Sequence, residues 1–322
     1  MSVPKFRGII PPVATIFSDT GKLDYQGMGR LMDTLIDAGT DGLFILGSSG
    51  EFSQMSAEQR KEVAEFTVQH VNKRVPVLVG TGSNSTREAI SLTKHAQDIG
   101  ADGVIVVNPS YWVLREENLF RHYCEIAEST QLPMMLYNFP DLTGQDLSPD
   151  FVLRLVEKYP NVVGIKETVD QAGHIREMII KVKRQYPHFS VFCGYDDHLL
   201  NTLTLGGDGA IPASCNFAPE LTVGIYRAFI NGEFSRAIEL HRRLSVVPLL
   251  YKIDSPFANV IKEAIRLCGL SVSTYTLPPT RQLSAEQIVE IRKVLEQAGL
   301  TSSSKMFDST YSEMDLGSFV EV

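Results

Sequence analysis

The stretch Val162-Val163-Gly164-Ile165-Lys166-Glu167-Thr168 decides how the chain is read. It is short and β-rich, the pattern of a strand buried on both faces of a parallel sheet. Two-residue alternation puts Lys166 on the face of Val162 and Gly164, and Glu167 on the opposite face beside Ile165. An ammonium is seldom fully buried unless something pairs with it or uses it. Burial disfavours the charged form, and that is how a lysine becomes a nucleophilic amine near neutral pH. The same residues fit a lysine at a strand end that meets a carboxylate or reaches solvent. The strand alone leaves both readings open.

Working outward, seven more apolar runs flank this one, at residues 8–17, 41–47, 75–82, 102–109, 132–140, 189–196 and 208–214. Amphipathic helical stretches lie between them, such as Leu31, Leu35, Ile36 and Ala38, then Val63, Ala64, Phe66 and Val68. Ser56 with Gln59 forms a capping box, and Ala38-Gly39 and Ile99-Gly100 mark helix ends. Eight strands alternating with helices predict a (β/α)8 TIM barrel, an α/β fold that takes roughly 250 residues. A doubly wound sheet would carry a glycine-rich turn after its first strand, where this chain has Pro11-Pro12-Val13-Ala14. The expected organisation is a barrel over 1–218 and a C-terminal set of packed helices over 219–300. Residues 301–322, serine-rich and acidic, are expected to form a flexible tail.

Composition narrows the function. The 322 residues are 43% hydrophobic and 21% charged, ordinary for a globular protein, and the net charge of −8 disfavours a nucleic acid or an anionic membrane as partner. An anionic substrate therefore needs a local cluster of donors. Cys124, Cys193, Cys215 and Cys268 are scattered and the histidines are isolated, so no zinc site and no disulfide framework is expected. Pro11-Pro12 interrupts the first apolar run, no cleavage site follows, and no segment is suited to span a bilayer. A cytoplasmic enzyme is the expectation.

Active sites of such barrels sit at the C-terminal ends of the strands. There the chain places Gly47-Ser48-Ser49-Gly50-Glu51, small residues that let backbone N–H groups and two hydroxyls approach an anion, or else a plain tight turn. Strand five ends in Tyr137-Asn138-Phe139-Pro140, a satisfied core phenol or a proton shuttle. Strand four runs into Ser110-Tyr111-Trp112, aromatics for a rim, an interface or a site. Strand seven runs into Gly194-Tyr195-Asp196-Asp197-His198, whose carboxylates suit a helix cap or a metal.

Taken together, Gly47-Ser48-Ser49-Gly50-Glu51, Tyr137-Asn138-Phe139-Pro140 and Gly164-Ile165-Lys166-Glu167-Thr168 resemble the lysine aldolase superfamily of dihydrodipicolinate synthase and N-acetylneuraminate lyase, over about residues 6–298. Within it, Gly8-Ile9-Ile10-Pro11-Pro12, the run from Tyr137 to Asp146 and the run from Cys193 to His198 most resemble 2-keto-3-deoxygluconate or pentonate aldolases. The resemblance implies a Schiff base on Lys166, proton transfer by Tyr137, and a carboxylate held by Ser48 and Ser49. It implies a relay in which Ser48 takes the usual threonine position and Tyr111 serves a neighbouring subunit of a homotetramer built from two dimers. It implies Thr168, Gly194, Asp196, Asp197 and Ile211 as further substrate contacts. No metal and no organic cofactor is implied, the covalent imine doing that work. Leu142 stands where the synthases carry an arginine for a second carboxylate, and Ala213 where sialate lyases carry a serine. Both departures speak against those two activities, and the resemblance implies a 2-keto-3-deoxy sugar acid, cleaved to pyruvate and an aldehyde. The rival expectations are a Schiff-base dehydratase of the same scaffold, synthase-like or sialate lyase-like activity, a metal-dependent hydrolase built on Asp196, Asp197 and His198, and a catalytically silent sugar-acid sensor.

Overall fold

A computed structural model describes residues 5–301 of the chain. The eight strands are β1 (Gly8–Ile9), β2 (Leu43–Ile45), β3 (Val77–Gly80), β4 (Gly103–Val107), β5 (Met134–Asn138), β6 (Val162–Glu167), β7 (Ser190–Cys193) and β8 (Gly209–Ala210). All pair in parallel, in the order β1-β8-β7-β6-β5-β4-β3-β2. The remaining seam closes just beyond β1: Phe44 N–H donates to Pro11 O at 2.9 Å, and Val13 N–H donates to Phe44 O at 2.8 Å. The sheet is thus a barrel, and the two prolines that interrupt the first apolar run lie at its seam.

Side-chain alternation splits the apolar residues into two clusters. Leu43, Ile45, Val77, Val79, Val104, Val106, Leu136, Ile165 and Val191 face the surrounding helices. Phe44, Leu78, Ile105, Met135, Tyr137, Phe192 and Ile211 fill the barrel. β6 departs from the expected alternation at its start. A register shift between Met134 and Met135 pairs them with Val162 and Gly164, so Val163 is an extra residue in the ladder. Val162 consequently joins the outer cluster and Val163 the inner one. Lys166 still points inward, but it does not share a face with Val162; the bulge separates them.

The capping box at Ser56 and Gln59 forms as expected, as do the helix ends at Ala38 and Ile99. Helix Pro219–Ile230 packs on β1 and completes the last strand–helix unit, so the barrel's helical layer extends past residue 218. Helices Phe234–Leu244, Ala258–Leu267 and Ala285–Gln297 follow. The expected flexible tail lies outside the described residues apart from residue 301.

Candidate active site

Lys166 projects from the penultimate position of β6 into the barrel, directly beside Tyr137 of β5 in the parallel register. It is 4% exposed. Its Nζ lies 4.2 Å from the centroid of the Tyr137 ring and 5.3 Å from that of Phe44. No carboxylate pairs with it among the described residues, which sets aside the ion-paired alternative. The amine is walled by two aromatic faces, and space beside it depends on Gly194. A Cβ built on Gly194 would sit 1.9 Å from Thr168 Oγ1 and 3.1 Å from Lys166 Cε. Thr168 is buried at the end of β6, and its hydroxyl has no partner among the described residues. A buried hydroxyl without a protein partner, beside a buried amine, has its hydrogen-bonding capacity free.

Tyr137 is buried, and its hydroxyl lies 3.4 Å from Ser48 Oγ. Ser48 and the buried Ser49 sit in the short turn Ser48–Gly50 that follows β2. Gly50 O accepts from Thr15 Oγ1 at 2.9 Å, which pins the turn to the segment after β1. A cleft of about 280 Å³ opens beside Ser48. Its polar lining includes Ser53, Gln54, Asn108, Ser110, Thr143 and Ser255, with Phe52, Phe139, Leu142 and Phe257 among its apolar walls; among the described residues no charged side chain lines it.

The chain thus brings Ser48, Tyr137, Lys166, Thr168, Gly194 and Ile211 to one end of the barrel interior. The other expected residues lie differently. Asp196 is buried, and both its oxygens are taken: Oδ1 accepts from the backbone N–H of Ser214 at 2.9 Å and from its hydroxyl, Oδ2 from Tyr251 O–H at 2.7 Å. Burial raises its pKa, with those hydrogen bonds opposing. Asp196 therefore ties the segment after β8 to Tyr251 and does not cap the helix that follows it in sequence. Asp197 is half-buried in the short helix Asp196–His198. His198 turns its Nε2 to within 3.5 Å of Asp170. Among the described residues no group of three His, Cys, Asp or Glu side chains is arranged to hold a metal, so the hydrolase donor set does not converge. Tyr111 is 88% exposed, at φ 75°, with its ring against Trp112 at 5.5 Å. Among the described residues its ring contact is with Trp112, and the Tyr137 hydroxyl meets Ser48.

Two buried charges escaped the sequence reading. Glu51 and Lys262 are an ion pair that neither solvent nor the surface reaches, at 1% and 0% exposure. The signal was present: in helix Ala258–Leu267, Lys262 falls on the apolar stripe between Ala258 and Ile265. Arg60, also buried, donates through Nη2 to Gly80 O and Gly82 O at 3.0 Å each and holds the end of β3.

Comparison with known proteins places the chain in a family. The family model described as "Dihydrodipicolinate synthetase family" matches residues 5–298. The chain belongs to the dihydrodipicolinate synthetase family. It is an enzyme of the lyase class. Two Escherichia coli K12 members are similar over 92% of this chain and 98% of their own. One is named "Putative 2-dehydro-3-deoxy-D-gluconate aldolase YagE", at 53% identity, and the other "Probable 2-dehydro-3-deoxy-D-pentonate aldolase YjhH", at 52%. The crystal structure of YagE, described as a complex with pyruvate, matches with a TM-score of 0.91 over 92% of this chain and 99% of that one. Dihydrodipicolinate synthase from Aquifex aeolicus matches at 32% identity with a TM-score of 0.86, over 92% of this chain and 99% of its own. In the described residues no helix is long and apolar enough to cross a membrane.

Proposed function

We propose that the protein is a Schiff-base aldolase that cleaves a 2-keto-3-deoxy sugar acid, such as 2-keto-3-deoxygluconate or its pentonate counterpart, to pyruvate and glyceraldehyde or glycolaldehyde. One observation carries the reading: a buried, unpaired primary amine lies against the ring of a tyrosine whose hydroxyl is 3.4 Å from Ser48 Oγ. Lys166 adds to the C2 ketone and water leaves, giving a protonated imine. Tyr137 removes the proton of the C4 hydroxyl, the C3–C4 bonding pair flows into the imine, and the aldehyde departs from an enamine. Protonation at C3 and hydrolysis return Lys166 and release pyruvate. The imine supplies the electron sink, so the scheme calls on no metal and no organic cofactor. Ser48 and Ser49 receive the substrate carboxylate, and Thr168 supplies a hydroxyl to the chain beyond C3.

The cleft beside Ser48 is lined, among the described residues, by uncharged side chains, which suits a neutral, hydroxylated ligand. A second carboxylate would enter a cleft lined by Leu142 and no cation, an unfavourable burial of charge. The names of YagE and YjhH support the same substrate class. Tyr111, Trp112 and Val113 form an exposed apolar run after β4 that suits burial against a second copy of the chain, with Tyr111 completing the neighbour's relay in a dimer of dimers.

Borohydride reduction in the presence of pyruvate tests the mechanism. The expected result is a covalent adduct on Lys166, absent from Lys166→Ala; an unmodified Lys166 would end the proposal. Product analysis with C5 and C6 keto-deoxy acids tests the reaction. Pyruvate plus an aldehyde is expected, and a saturated oxo acid without pyruvate would identify the dehydratase instead.

A further inference from the structure

The Ser48–Gly50 turn is followed by Glu51, a non-glycine residue in the left-handed region at φ 58°. Its side chain runs away from the cleft into the protein. Oε1 meets Lys262 Nζ, and Oε2 accepts from the backbone N–H of Leu277 at 2.7 Å. Lys262 also donates to Tyr275 O at 2.7 Å and sits 4.7 Å above the Phe17 ring. Helix Ala258–Leu267 packs directly on the turn. Two buried charges separated by 211 residues therefore join the loop after β2 to the helices that follow the barrel.

Stability alone is a weak account of such a pair. Desolvating two charges offsets their attraction, and well-packed apolar side chains of similar volume hold elements together about as well. What the charged pair adds is a fixed distance and direction: a carboxylate with one donor on each of its two oxygens, one of them an ammonium that is itself tied to a backbone carbonyl. That constraint acts on the residue next to the turn that carries Ser48 and Ser49.

We propose that the buried Glu51–Lys262 pair is a positioning device for the carboxylate-holding turn, setting Ser48 and Ser49 relative to Tyr137 and Lys166 so that the substrate's carboxylate is received with its C2 over the amine. The inference rests on the aldolase reading and gives the C-terminal helices a part in ligand binding. Neither residue touches the substrate; both act through the turn.

The test exchanges both charges at once, Glu51→Met with Lys262→Met, so that no lone charge is left buried. Thermal unfolding, steady-state cleavage of the keto acid, and the pyruvate concentration giving half-maximal borohydride trapping are measured together. The expected result is a Tm within a few degrees of the wild type, with KM and the trapping half-saturation each raised about tenfold or more and kcat reduced less, the signature of lost ligand binding. A stable double variant with wild-type KM and half-saturation overturns the inference and leaves the pair a structural staple. Should the double exchange fail to fold, Glu51→Gln with Lys262→Met, which keeps an acceptor for Leu277 N–H, carries the same expectation and the same overturning result. Absence of an adduct in the wild type overturns the aldolase reading and this inference together. An adduct in the wild type with unaltered half-saturation in the variant overturns this inference alone.

Discussion

Asn138 and Glu167 face each other in register on β5 and β6, each one residue beyond a catalytic candidate, and Asn138 Nδ2 donates to Glu167 Oε2 at 2.9 Å. The same amide donates to Asp146 Oδ1 at 2.7 Å. His174 completes the cluster from helix Ala172–Met178, with Nε2 3.1 Å from Asp146 Oδ2 and Nδ1 3.3 Å from Glu167 Oε2. The second contact is too poorly aligned for a hydrogen bond, since Nδ1 has no hydrogen-bond partner, so it is an ion pair. Asp146 first, then Glu167, push the His174 pKa up to about 10. A histidine raised in the folded state stabilises fully below its unfolded pKa of about 6.5, and that contribution is lost as pH rises through the folded value. Between pH ~7 and pH ~10.5 the wild type should therefore lose stability that His174→Gln does not lose. Denaturant titrations of both proteins at the two pH values check it; parallel losses would remove the histidine from the account.

Tyr137 carries a hydroxyl 3.4 Å from Ser48 Oγ, and its ring forms part of the wall around Lys166. Tyr137→Phe keeps that wall and deletes only the proton carrier. A positioned acid–base group contributes roughly 10²–10⁴ to the rate, so kcat for cleavage should fall by about that factor. Trapping of pyruvate on Lys166 should persist, more slowly. Wild-type kcat in the phenylalanine variant would move the proton transfer to another group.

Much of this arrangement was legible in the residues, and the parts that were not share a cause. Strand runs and helix caps are local, so the eight-strand alternation and the Ser56 cap could be read directly. Lys166 and Glu167 could be put on opposite faces because two-residue alternation is a property of one strand, whereas which face lies inside the barrel is not. Val162 was misplaced because the bulge at Val163 arises from pairing with β5, which one strand does not encode. The Asp196 carboxylate stands in a motif that suggests a ligand or a cap, yet Ser214 and Tyr251, 18 and 55 residues away, claim its oxygens. Glu51 and Lys262 were invisible as a pair for the same reason. Contacts made at long sequence separation depend on how the barrel closes, and only the fold brings them together.

Tyr111 and Trp112 stack edge-to-face at 5.5 Å while remaining mostly exposed, and Val113 beside them is exposed as well. A cluster of that kind is costly in water and gains by burial between subunits. Trp112→Glu should weaken assembly, giving a smaller species in sedimentation velocity and activity that falls on dilution. Tyr111→Phe should leave assembly intact and lower kcat by about tenfold or more if it completes the neighbour's relay. An unaltered sedimentation profile for Trp112→Glu would place the subunit contact elsewhere.

Gly194 sits where β7 leaves the barrel, and its backbone N–H donates to Glu167 O at 2.7 Å, which locks it against the end of β6. That bond fixes how close the two strands run, so a side chain at 194 has no room to retreat. In Gly194→Ala the new methyl would meet Thr168 Oγ1 at 1.9 Å, Thr168 Cβ at 2.8 Å and Lys166 Cε at 3.1 Å. Contacts under 3.0 Å force a shift, and the atoms able to shift are those of Thr168 and of the Lys166 stem. Overpacking of this kind costs about 1–3 kcal/mol. Here part of that cost should appear as a displaced amine, so kcat for cleavage and the rate of pyruvate trapping should both fall by about tenfold or more. Thr168→Ala removes the atom at 1.9 Å. In a Gly194→Ala background it should restore part of the Tm and part of the trapping rate, the Cβ at 2.8 Å remaining, even though on its own it weakens binding of the substrate tail. Stopped trapping assays on the four proteins of that cycle check the coupling. Additive losses would mean that position 194 acts on Lys166 by a route other than Thr168.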